Sequence, residues 1–202
     1  MNDPPSVIDP SLRLHLIRHG ETEWSLSGQH TGRTDIALTA RGEAQARALA
    51  PRLRTIRFDA VFTSPALRAL RTCELAGLGR PAATIEPDLA EWDYGDYEGR
   101  TSRDIRSDRP GWNCYRDGCP GGESPGDVSN RADGLIARLC QLSGNVALFS
   151  HGEFGCSLAA RWIGLPVMQG AHFQLATASL SILGFNPDHP ELRVIAQWNA
   201  MR

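Results

Sequence analysis

Two histidines, His19 and His151, each stand directly before a glycine and directly after a run that predicts a buried strand, and Arg18 precedes the first of them. A neutral imidazole nitrogen is a good nucleophile near neutral pH. It can accept a phosphoryl group and so split one hard displacement by water into two easier steps. The transferring phosphoryl carries negative charge on its equatorial oxygens, so a guanidinium such as that of Arg18, with backbone N–H groups, stabilises it without a metal. The leaving alkoxide needs a proton. A carboxyl whose pKa is raised by burial or by neighbouring anions can supply it, and as carboxylate can then activate water. Glu91, between Ala90 and Trp92 in an irregular stretch, is the best placed, with Asp88, Asp93, Asp96 and Glu98 as rivals. Arg68 follows Ser64-Pro65, and because anions collect at helix starts it reads as a phosphate contact rather than a solvated arginine.

These groups are useful only if the chain brings them together. Leu12, Leu14 and Leu16 alternate with Arg13, His15 and Arg18 around Ile17, which predicts a strand that ends where Arg18-His19-Gly20 begins. Helical spacing from Thr39 through Ala46, Leu49, Ala50 and Leu53 follows, with Pro51 expected to kink or shorten the helix. Phe58 to Thr63 predicts a buried strand. Ser64-Pro65 predicts a helix cap with proline in the first turn, opening a helix that ends near Gly77. After a short strand near 83–86, residues 88–122 are polar, aromatic and glycine-rich, too irregular for core and long enough to cover an active site.

Ser124-Pro125 opens an amphipathic helix on Val128, Ala132, Leu135, Ile136 and Leu139, which leads to a strand over 146–150 ending at His151. A further helix runs through Ala160, and 180–185 and 192–198 predict paired strands about the turn Asn186-Pro187-Asp188. Strands alternating with helices predict an α/β three-layer sandwich, a mostly parallel central sheet with helices on both faces and sites outside the carboxyl ends of its strands. The 202 residues suit one well-buried core and are short for two. Residues 1–11 are expected to be a flexible N-terminal segment, and 12–202 one domain with a cover loop around 88–122.

Bulk composition narrows the partners. A net charge of -2 with 41% hydrophobic and 22% charged residues lacks the basic excess that nucleic-acid or acidic-membrane binding requires, so neither is expected. All 21 cationic side chains are arginine, which codon bias explains, so only individual arginines carry functional weight. Five scattered cysteines, Cys73, Cys114, Cys119, Cys140 and Cys156, fit a reducing cytoplasm rather than a disulfide framework. Cys114 and Cys119 lack the spacing and additional ligands of a zinc site, and no metal or cofactor is expected. The first eleven residues have neither the basic start nor the apolar run of a signal peptide, and no stretch approaches the roughly 20 apolar residues of a membrane span. A cytoplasmic protein is expected, with a homodimer through an edge strand left open.

Arg18-His19-Gly20-Glu21-Thr22-Glu23-Trp24 resembles the signature of the histidine phosphatase (phosphoglycerate mutase-like) superfamily, and it sits, as there, at the end of the first strand. Further blocks resemble that family in the same order: Thr31-Gly32, Leu38-Thr39 with Gly42, Thr63-Ser64-Pro65 with Arg68-Ala69, Glu91-Trp92-Asp93-Tyr94-Gly95 with Glu98-Gly99, and Ser150-His151-Gly152. Six ordered blocks are far more specific than one tripeptide. The resemblance implies His19 as phospho-acceptor, Arg18, Arg68 and His151 as the rest of the phosphate pocket, and Glu91 as proton donor. It also implies substrate contacts at Thr31, Gly32 and Tyr94. Ser25 departs from the asparagine of many members, and its shorter hydroxyl can still donate to phosphate. Trp24-Ser25, the runs 27–35 and 91–99, and Trp112-Asn113 with 115–119 resemble the sedoheptulose-bisphosphatase-like sugar phosphatase branch. Arg116, in the last of these runs, is the loop arginine taken as a sugar or second-phosphate contact.

The implied function is a metal-independent phosphatase acting on a small phosphorylated metabolite, a sugar phosphate or bisphosphate, through phosphohistidine at His19. A cofactor-dependent phosphoglycerate mutase uses the same chemistry but returns the phosphoryl group to a second hydroxyl. This chain is shorter than those mutases and lacks the insertion that encloses their site, and an open pocket admits water. A non-catalytic phosphate-binding regulatory protein is the third reading, and the presence of all five proposed catalytic residues argues against it.

Overall fold

Successive residues of the central strands point to opposite sides, and both sides are apolar, which commits the sheet to burial between two layers. In the computed structural model, which describes residues 9–79 and 82–201, the order is β1 (Arg13–Arg18), α1 (Glu23–Ser27), α2 (Ala40–Leu53), β2 (Ala60–Thr63), α3 (Leu67–Leu75), β3 (Ala83–Ile85), α4 (Ser102–Asp108), α5 (Cys114–Asp117), α6 (Pro125–Leu139), β4 (Asn145–Ser150), α7 (Gly152–Trp162), β5 (Leu180–Phe185) and β6 (Arg193–Ala200). The six strands form one sheet in the order β3-β2-β4-β1-β5-β6. The first four of that order are parallel, β5 is antiparallel to β1, and β6 is antiparallel to β5.

On one face Leu14 and Leu16 of β1 and Val146 and Leu148 of β4 pack with α6 and α7. On the other, Ile17, Ala147 and Phe149 pack with Leu49 and Leu53 of α2 and Cys73 of α3. Leu14, Leu16 and Leu148 are wholly buried, and each such leucine stabilises the fold by about 1.5–3 kcal/mol. Most of the flexible segment expected over 1–11 lies outside the described residues, and Leu12 already belongs to the core. No helix among the described residues is long and apolar enough to cross a membrane.

Two expectations are corrected. Pro51 does not stop α2, which continues to Leu53: the proline removes one rung of the ladder, and the Arg54 N–H beyond it still donates to the Ala50 carbonyl at 3.0 Å. Ser64 is not a helix cap: α3 starts at Leu67 with Ala66 at the cap position, and Asp35 accepts from the Leu67 N–H at 2.9 Å. The segment 88–122, though irregular, contributes several side chains to the core. Trp92, Tyr94, Ile105, Trp112 and Tyr115 are buried with the α6/α7 layer, because irregular backbone and the short helices α4 and α5 direct these large side chains inward without any regular period.

The loop after β1 is pinned by a close approach of two glycines. A Cβ on Gly42 would lie 2.0 Å from the Glu21 carbonyl oxygen, and one on Gly20 would lie 2.4 Å from the Gly42 carbonyl oxygen. The first turn of α2 therefore rests directly on the backbone that follows His19. Gly42→Ala is expected to destabilise the protein by about 1–3 kcal/mol through forced backbone displacement and to lower turnover with it. Thermal melts and phosphate release check this, and an unchanged Tm would mean that the contact is not tight.

Candidate active site

β1 and β4 are parallel neighbours with Arg18 beside Ser150, so the residues that follow them, His19 and His151, leave the sheet at one edge. Their ring centroids lie 5.2 Å apart. His19 is 4% exposed, and its Nδ1 lies 2.7 Å from the Gly20 carbonyl oxygen. A carbonyl only accepts, so Nδ1 carries the proton and Nε2 keeps a free lone pair. Burial, then the charges of Arg18 and Arg68, hold the His19 pKa well below its ordinary value. The ring is neutral at physiological pH, as a nucleophile must be.

His151 is wholly buried and neutral for the same reasons, burial first, then Arg68, His19 and Arg18. Arg68 Nε donates to its Nδ1 at 3.2 Å, which leaves the proton on Nε2, 2.7 Å from the Ser64 hydroxyl oxygen. That N–H is a donor that a phosphoryl oxygen can take over from Ser64. Arg68 itself is 0% exposed. Its Nη1 donates to the Thr34 carbonyl at 3.0 Å and its Nη2 to the carbonyls of Thr31 and Gly32 at 2.9 and 3.0 Å. It therefore fixes His151 and the 31–34 loop from behind. Arg18 has a buried Nε with no hydrogen-bond partner, while its Nη1 donates to the Leu175 carbonyl. Such an arginine suits an anion beside His19.

Glu91 crosses to the start of α7. Its Oε2 accepts from the N–H groups of Gly152 and Glu153 at 2.9 and 3.1 Å, and its Oε1 from those of Phe154 and Trp92 at 2.7 and 2.9 Å. Burial pushes this carboxyl up to about 7, the Glu153 charge adds to the rise, and the Trp92 and Phe154 N–H groups and Arg68 oppose it. A group that holds its proton near neutrality and releases it easily can act both as acid and as base. A cavity of about 190 Å³ is lined by His19, Arg18, Glu91, Ser25, Thr31 and Tyr94, together with His30, Ser102 and Glu153.

A sequence profile of the histidine phosphatase superfamily, branch 1, matches residues 14–197. The chain belongs to this superfamily. It is 43% identical over 187 residues to an acid phosphatase of Mycobacterium tuberculosis, with 91% of each chain covered. It is 37% identical over 194 residues to the sedoheptulose 1,7-bisphosphatase of Saccharomyces cerevisiae, covering 79% of this chain and 71% of that one. A solved structure from Mycobacterium tuberculosis superposes with a TM-score of 0.87 at 41% identity, over 93% of this chain and 97% of the other. Phosphatase activity is what this membership and these relatives support.

Within this histidine phosphatase, the remaining expected contacts divide. Thr31 and Tyr94 reach the cavity, and Tyr94 stacks on His30 with centroids 4.4 Å apart. Gly32 lines a neighbouring cavity, and its N–H donates to Glu98. Ser25 lines the site, but its hydroxyl donates to the Thr22 carbonyl at 2.9 Å and accepts from the Thr22 N–H, completing the cap of α1. Its donor is spent on the helix rather than offered to phosphate. Arg116 is not brought to the site. It is exposed, paired with Asp117 at 2.7 Å and donating to the Gly111 carbonyl, because α5 turns it outward.

Two residues escaped the sequence reading. Arg131 of α6 donates to the carbonyls of Asp88 and Ala90, pairs with Glu123 at 2.8 Å and lies over the Phe154 ring at 4.1 Å, so it ties the segment carrying Glu91 to α7. Nothing in the pattern of an amphipathic helix separates it from a solvated arginine. Glu153 did carry a signal, since it follows His151-Gly152 directly.

Proposed function

We propose that this enzyme is a metal-independent phosphomonoesterase acting on a small phosphorylated metabolite of the sugar-phosphate class. The observation that carries the proposal is the pairing of a buried, neutral His19, whose Nε2 is left free by the Nδ1–Gly20 hydrogen bond, with a Glu91 carboxyl raised to about 7 on the same cavity. His19 Nε2 attacks phosphorus, the N–P bond forms as the P–O bond to the leaving group breaks, and the departing oxygen takes the Glu91 proton. Water then attacks phosphohistidine, Glu91 carboxylate takes the water proton, and inorganic phosphate leaves with His19 and protonated Glu91 restored.

Arg18 and the Nε2–H of His151 compensate the developing charge on the phosphoryl oxygens. Among the described residues no group of three or more His, Cys, Asp or Glu side chains could hold a metal ion, and the charge compensation proposed here uses arginine and imidazole instead. All five cysteines are free and buried, which fits a reducing cytoplasm as its compartment.

Phosphate release by the purified protein in EDTA tests the reading, using sugar monophosphates, sugar bisphosphates and phosphoglycerates. Release should survive the chelator at an undiminished rate. Loss of release on chelation, with recovery on adding a divalent cation, would contradict the metal-independent chemistry. Isomerisation of phosphoglycerate without net release would make the enzyme a mutase.

A further inference from the structure

Glu153 takes a position that the phosphoryl chemistry leaves unused. It is the second residue of α7, and its backbone N–H is spent on Glu91 and its carbonyl on Ser157. Its carboxylate makes no ion pair and no hydrogen bond among the described residues. The side chain lines the cavity in front of His19, and it lines a second cavity of about 460 Å³ on the far side of Arg18. Both spaces adjoin Arg18 and are open to a leaving group attached to a phosphoryl on His19.

Among the described residues Arg18 is the one arginine on either wall, and it lies beside the nucleophile, where the transferring phosphoryl needs it. A third cavity, beside Glu91, contains Arg33 and Arg131, but these are paired with Asp93 and Glu123 at 2.7 and 2.8 Å. Arg103, Arg106 and Arg116 lie off both walls, Arg106 with its Nε on the Trp112 carbonyl and Arg116 held by Asp117. A second phosphate placed in either space would therefore meet the Glu153 carboxylate, with Arg18, already engaged beside the nucleophile, as the one arginine on those walls among the described residues. A hydroxyl would meet an acceptor with free lone pairs, flanked by Gln29, His30 and Ser102.

Resting on the phosphatase reading, we propose that Glu153 is a specificity-determining residue: it accepts hydrogen bonds from the leaving group and repels a second phosphate, so the enzyme prefers hydroxyl-bearing monophosphates to bisphosphates. Discrimination arises here as much from the repulsive element as from the attractive one. The preference runs opposite to the substrate named for the yeast relative.

The test compares kcat/KM for a hexose phosphorylated on carbon one with that for the same hexose phosphorylated on carbons one and six, using p-nitrophenyl phosphate as reference. The wild-type enzyme should favour the monophosphate by about tenfold or more, Glu153→Gln should narrow that ratio by about tenfold, and Glu153→Arg should reverse it. Each ratio is taken within one variant, so a changed Glu91 proton affinity cancels. Added salt should narrow the wild-type ratio and leave that of Glu153→Gln nearly flat, which a merely structural role would not produce. A wild-type preference for the bisphosphate, or a ratio unmoved by Glu153→Gln, overturns the proposal. Absence of His19-dependent release from p-nitrophenyl phosphate would instead overturn the phosphatase reading on which it rests.

Discussion

With His19 replaced by alanine, phosphate release from every phosphomonoester is expected to fall by roughly 10⁴-fold or more, because the covalent route disappears rather than slows. The expectation follows from the tautomer. Gly20 holds the proton on Nδ1, so Nε2 is the nucleophilic atom, and burial beside Arg18 and Arg68 keeps it unprotonated. His151 cannot substitute, since its Nδ1 accepts from Arg68 and its Nε2 carries the proton toward Ser64. The ring of His19 makes one hydrogen bond, worth about 0.5–1.5 kcal/mol, so the variant should still fold, as a thermal melt would show. Residual activity within tenfold of the parent would place the nucleophile elsewhere.

Glu91→Gln should cost about 10²–10⁴ in kcat for alkyl phosphates, the usual range for a lost general acid. The loss should be much smaller for p-nitrophenyl phosphate, whose leaving group departs without a proton. This leaving-group dependence separates lost acid catalysis from lost structure, and both occur here. Each Glu91 oxygen accepts two backbone N–H groups at the start of α7, whereas a glutamine would turn its NH2 against one pair of donors. A destabilisation of about 1–3 kcal/mol should therefore accompany the substitution.

In the parent, the carboxyl raised to about 7 is protonated below that pH. The rate of His19 phosphorylation by an alkyl phosphate should accordingly fall as pH rises through about 7, and Glu91→Gln should abolish that limb. An unchanged limb in the variant would assign it to another group.

The sequence exposed the ends of β1 and β4 well. Alternating Leu12, Leu14 and Leu16, and the apolar run before His151, could form little else, and parallel strands deliver their following residues to one edge. The pairing of those two strands was not legible, because β4 inserts between β1 and β2 from more than eighty residues away. Ser64-Pro65 looked like a helix cap on local chemistry, yet a tertiary partner, His151, claims the hydroxyl. In the stretch 88–122 neither a strand period nor a helix period organises the aromatic residues, so their burial was not legible. Trp92 and Trp112 reach the core from irregular backbone, with their indole N–H groups satisfied by the carbonyls of Glu123 and Gly118.

Arg68 shows the sharper limit. Its motif position was readable, but whether its donors face open space or backbone carbonyls depends on the path of the 31–34 loop. Arg116 shows the converse, a motif-matched residue that α5 turns to the surface.

The most direct test is to quench the enzyme during turnover of a radiolabelled phosphomonoester and to ask where the label resides. Protein-bound phosphate that is stable to alkali, lost in acid, mapped to His19 and absent from His19→Ala is the predicted result. Full turnover with no labelled protein, or label on His151 or on a carboxylate, would contradict the phosphohistidine mechanism.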